Sequence, residues 1–128
     1  YRDFNHAYLI FPKEGEPSLF VGLYNHLHNA KGIASIEDVR HGGYGNPELM
    51  SNQLDALGLG AGRIGLAGIN PRFNSLIPFE HMDYLKDRFP EVEWVNVSAK
   101  FRDLRVVKST EEIEWLRTKS LGQRRSIR

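Results

Sequence analysis

Two histidines one residue apart, His26 and His28, form the pair best spaced to bind a metal. On a strand they would share one face, and His41 or an acid would supply the third ligand of a zinc hydrolytic site. No HExxH and no matched acidic cluster accompanies them, so two exposed polar positions on a short helix or turn account for the pair better. Gly60-Ala61-Gly62-Arg63-Ile64-Gly65 has the glycine spacing of a dinucleotide-binding turn. That chemistry needs a strand before the glycines and a helix after them, so that the helix N-terminus faces the pyrophosphate. Here the pattern runs helix, glycines, strand, which suits a helix C-cap and a turn. G-x-S-x-G is absent, and the serines lie in no nucleophile-elbow context. The absence of cysteine excludes disulfides, thiolate metal sites and Cys nucleophiles, and fits a reducing, cytoplasmic setting.

The densest group of chemically able side chains is Asp38, Arg40, His41 and Tyr44, in "DVRHGGYGN". A cation, an imidazole and an aromatic on a glycine-rich loop after a strand can meet a ligand, as loops in α/β sheets often do. A solvated turn is the competing reading.

The elements that must position these residues follow from composition and pattern. A length of 128 residues suits one domain, and 41% hydrophobic with 26% charged residues is ordinary for a soluble globular chain. No apolar run reaches the roughly 20 residues of a membrane span. The net charge of +1 hides an asymmetry: residues 1–116 hold 12 Lys/Arg against 16 Asp/Glu, whereas Arg117, Lys119, Arg124, Arg125 and Arg128 follow without an acid. A mildly acidic body does not favour nucleic acid. The basic tail could bind phosphate, but positive charge toward a helix C-terminus also complements the dipole.

Ala7–Phe11 and Ser18–Val21, joined by "PKEGEP", predict a hairpin. A short helix is expected over Leu23–Ala30, ended by Gly32, then a strand over Ile33–Val39 and a glycine loop. Asn46-Pro47-Glu48 reads as a helix start with Asn46 as cap and Gly58 as its end. Arg63–Ile69 predicts a buried strand, and Pro78 opens a helix with Phe79, Met82, Leu85 and Phe89 on one stripe. "EWVNVS" is a strand, and Ser98 to about Leu104 a further helix. This alternation predicts an α/β fold: three layers, a mixed and largely parallel sheet, helices on both faces and an antiparallel edge hairpin.

The last segment, "KSTEEIEWLR", opens with a capping box: Ser109 caps and Glu112 follows three positions on. Glu111 and Glu112 suit the positive end of the dipole, Ile113 and Leu116 begin an apolar stripe, and Gly122 weakens the helix. The wording "LRVVKSTEEIEWLR" resembles the domain junction of the creatinase/prolidase/Xaa-Pro aminopeptidase family, through Arg105, Lys108, Ser109, Glu112, Ile113, Leu116 and Arg117. "GAGRIGLAG" and "FVGLYNHLHNAKGIASIEDVR" also resemble stretches of that family's N-terminal domain, so the likeness covers roughly residues 7–121.

The resemblance implies a two-domain chain, with residues 1–108 as the N-terminal α/β domain and 109–128 as a linker helix entering a pita-bread catalytic domain. That absent domain would hold two divalent metals (Mn, Co or Zn) through Asp, Asp, His, Glu and Glu. None of those ligands falls in this chain, so it is expected to hold no metal and no catalytic residue. It would aid homodimerisation and restrict access of a peptide or small-molecule substrate. Asp38–Asn46 is the candidate contact loop, on its chemistry alone. Two other readings compete: a binding module, since the resemblance extends to a histone-chaperone subunit that has lost catalysis, and a small-molecule binder using Arg40, His41 and Tyr44.

Overall fold

The computed structural model describes residues 7–68 and 77–125, with side chains as far as Thr118 apart from that of Tyr44. The fold is α/β, as the alternating pattern requires. Its strands form two sheets: β1 (Ala7–Ile10), β2 (Ser18–Val21) and β3 (Asp38–His41) in that order, and a parallel pair of β4 (Gly62–Leu66) and β5 (Val92–Asn96). The expected hairpin is the antiparallel edge, with Tyr8 opposite Phe20. β2 and β3 run parallel, in a register that sets Ser18 beside Asp38 and Phe20 beside Arg40.

The described residues fall into two compact units: one runs to Ile64 and includes Ile77–Trp94, the other holds Gly65–Gly68 and the residues from Val95 on. In the first unit, alternation along the strands gives the three-stranded sheet two different faces. Tyr8, Ile10 and Phe20 turn toward α2 (Asn46–Ala56) and α3 (Phe79–Arg88), where Phe20 joins a core of Met50, Leu54, Leu85, Phe89 and Val92. On the opposite face, α1 (Tyr24–Ile33) packs over β2 and β3. Helices therefore cover both faces of this sheet, as expected.

Several boundaries differ from the sequence pattern. Gly32 does not end α1, which runs on to Ile33 and closes when the Ala34 N–H bonds to the Ala30 carbonyl at 2.9 Å. The strand expected over Ile33–Val39 is therefore β3, Asp38–His41: only these four residues find partners on β2. Asn46 does not cap α2. A 3₁₀ turn (Gly43–Gly45) leads into the helix, Gly45 takes the cap position, and Asn46 is buried inside the first turn. The end of α2 is as expected: Gly58 has φ +68°, its N–H bonds to the Asp55 carbonyl, and the Leu59 N–H bonds to Leu54. This Schellman geometry satisfies the last carbonyls and turns Leu59 onto the core. β4 is not a buried strand, since Gly62, Arg63 and Gly65 are exposed, and the predicted end at Ile69 lies outside the described residues. Of the stripe expected on α3, Leu85 and the C-cap residue Phe89 are buried and Met82 is half-buried, whereas Phe79 at the first turn is 79% exposed.

Tyr8 ties the hairpin to α3. Its hydroxyl and His81 Nδ1 form a hydrogen bond at 2.7 Å, and burial pushes the phenol up to about 12. A raised phenol contributes stability that is complete below its ordinary pKa of 10.0 and is lost as pH rises toward 12, because the unfolded chain ionises first. We expect phenolate absorbance to show one late step near pH 12, absent in Tyr8→Phe. A wild-type titration complete by pH 11 would contradict the buried placement.

In the second unit, the Val97 N–H bonds to the Leu66 carbonyl, and Asn96 Oδ1 accepts the Ser98 N–H at the start of α4 (Ser98–Val106). α5 spans Thr110–Arg125, carrying Gly122 within it. Among the described residues, no helix is long and apolar enough to cross a membrane.

Candidate functional site

The candidate contact residues fall on β3 and the turn after it, so Arg40 and His41 are strand residues rather than loop residues. The period of two on a strand then separates them. Asp38 and Arg40 share one face. Arg40 Nε and Nη2 donate to the two Asp38 carboxylate oxygens, each at 2.6 Å. The guanidinium lies 5.8 Å from the centroid of the Phe20 ring, its register partner.

The hydrogen bond from Arg40 holds the Asp38 carboxyl below its usual range, against the opposing effect of partial burial and with help from Ser18. Arg40 is correspondingly held above its ordinary value by the Asp38 carboxylate. The stabilisation is present above the ordinary carboxylate pKa of 3.8 and is lost as pH falls through the depressed value. Both side chains reach solvent, so the pair contributes little to stability. It fixes geometry instead: Arg40 is already engaged bidentately, and a substrate carboxylate would have to compete with Asp38 for it.

His41 faces the other way. Its ring meets Tyr24 edge-on, with centroids 5.3 Å apart and planes at 89°. Gly43, at φ +57°, passes so close that a Cβ there would lie 3.2 Å from His41 Cε1. Tyr44 belongs to the 3₁₀ turn, and its side chain lies outside what the structure describes. His41, Tyr24 and this turn gather at the carboxyl ends of the parallel pair β2–β3, where ligands of α/β sheets are usually met. Asp38 sits at the opposite end of β3. The structure thus brings Asp38 to Arg40 and His41 to the glycine turn, and does not join all four. Ser18 and Tyr24 enter only through register and packing, which no local pattern signals.

His26 and His28 lie on α1, both exposed, as the simpler reading of that pair expected. Among the described residues no group of three or more His, Asp or Glu is placed to hold a metal. Gly60 lies between α2 and β4, Gly62 opens β4 and Gly65 lies within it, so the glycines lead into a strand and not into a helix N-terminus. Two have packing roles: a Cβ on Gly60 would touch the Phe89 ring at 3.7 Å, and one on Gly65 would press on Val97 at 3.1 Å.

The segment from Lys108 to Glu112 forms the capping box its sequence specifies. The Ser109 N–H donates to Glu112 Oε2 at 2.8 Å, and the Glu112 N–H donates to Ser109 Oγ at 3.1 Å. Lys108 Nζ donates to the Arg105 carbonyl, closing the turn between α4 and α5. Beyond the box, Ile113, Trp115 and Leu116 are 39%, 60% and 50% exposed. Trp115 and Leu116, with Lys108, Glu111 and Glu112, line a shallow groove of about 490 Å³. Arg105 and Arg117 are exposed on either side of the box. Replacing Ser109 by alanine should cost the α5 start about 1 kcal/mol, read as a loss of amide protection over residues 110–114. Unchanged protection would mean that the cap does not hold the helix.

No protein-family model matches the chain, and no curated protein is significantly similar to it.

Proposed function

We propose that this chain is the non-catalytic N-terminal α/β domain of a creatinase/prolidase-family metallohydrolase, an Xaa-Pro peptidase in the first instance. The observation that carries this reading is the junction. Its capping box closes through both hydrogen bonds, while Ile113, Trp115 and Leu116 just beyond it remain open to solvent. A helix start so firmly fixed, with apolar side chains uncovered along it, suits a chain that continues into another domain. The junction wording from Arg105 to Arg117 supplies the family.

On this reading the boundary lies between Lys108 and Ser109, and a two-metal centre (Mn, Co or Zn) belongs wholly to the following domain. This chain supports a homodimer in the cytoplasm and screens the approach of a peptide or small-molecule substrate. His41 with the turn at Gly43–Gly45, and the Asp38–Arg40 pair, are its candidate contacts. Neither nucleic acid nor membrane is a partner.

The reading frame beyond Arg128 tests the assignment directly. It should encode a spaced Asp, Asp, His, Glu, Glu set, and a frame without that set overturns the metallohydrolase reading. The purified chain, given manganese and an Xaa-Pro peptide, should release no N-terminal residue. Release above a metal-only control would overturn the non-catalytic role.

A further inference from the structure

We draw no further inference here: the strongest candidate, the apolar slot between the sheet face of Ala7, Leu19 and Val21 and the α1 stripe of His26, Asn29, Ala30 and Ile33, is an open face for which nothing in the structure shows what covers it.

Discussion

Phe20→Ala should remove most of the stability of the first unit. Phe20 is fully enclosed at the centre of the middle strand, with Tyr8 and Arg40 as its neighbours across the sheet. It is the sheet's contribution to the core of Met50, Leu54, Leu85, Phe89 and Val92, which come from α2, α3 and the strand that follows. Truncating a buried phenylalanine costs about 3–5 kcal/mol, the lost transfer energy plus an unfilled cavity. A whole domain is stable by only about 5–15 kcal/mol. The ring also sits under the Arg40 guanidinium, so the Asp38–Arg40 pair loses its platform.

Urea unfolding followed by circular dichroism should show the midpoint falling by about 1–3 M, given a denaturant slope of about 1–3 kcal/mol/M. Phe20→Leu, which keeps most of the volume, should recover more than half of that loss. Leu9→Ala, at a site already 50% exposed on the other face, should cost far less than Phe20→Ala. Equal losses at Leu9 and Phe20 would mean that the core does not lie where α2 and α3 meet the sheet.

The contrast between Phe20 and Leu9 marks where sequence reading works and where it stops. That Ser18–Val21 is a strand was legible from its β-rich run and its turn. Which face of the hairpin would be covered was not, because Leu9 and Tyr8 are both good strand residues and only the tertiary partners distinguish them. The Ser109–Glu112 box was fully legible, since both hydrogen bonds are local and set by a fixed spacing.

β3 was misplaced because its extent depends on pairing with β2, some twenty residues away, and on α1 continuing through Gly32. A glycine is a poor helix residue by about 1 kcal/mol, too little to end a helix that packs on a sheet. With β3 shifted by a few residues, Asp38 and Arg40 share one face of the strand, His41 turns to the other, and Tyr44 falls in the turn beyond it. Their chemistry was readable residue by residue, but their mutual geometry was not.

The second large effect is expected where the pattern was misread, at Gly42 and Asn46. Asn46 has the sequence signature of a cap but is 2% exposed, and among the described residues its Oδ1 has no hydrogen-bond partner. It lies against the Cα of Gly42, where a Cβ would fall 1.6 Å from that oxygen. Gly42 cannot readily withdraw, because its N–H is bonded to the Val21 carbonyl at 2.9 Å. Its backbone is right-handed, with φ −97° and ψ −40°, so alanine meets no dihedral penalty there and the effect of substitution is steric.

Gly42→Ala should therefore expel the Asn46 side chain or displace the end of β3, at about 1–3 kcal/mol. Asn46→Ala alone should cost less, because it removes a buried oxygen that no described group satisfies. With the obstructing amide gone, the double variant should be more stable than the sum of the single losses predicts, by at least about 1 kcal/mol. The same substitutions should register at the candidate site, since the turn holds Gly43 against His41 and His41 against Tyr24. Gly42→Ala should shift the His41 ring-proton resonances, and adding Asn46→Ala should return them toward the wild-type positions. Strictly additive losses, with an unmoved His41 ring, would mean that Asn46 does not occupy the space beside Gly42 and that something else orders this turn.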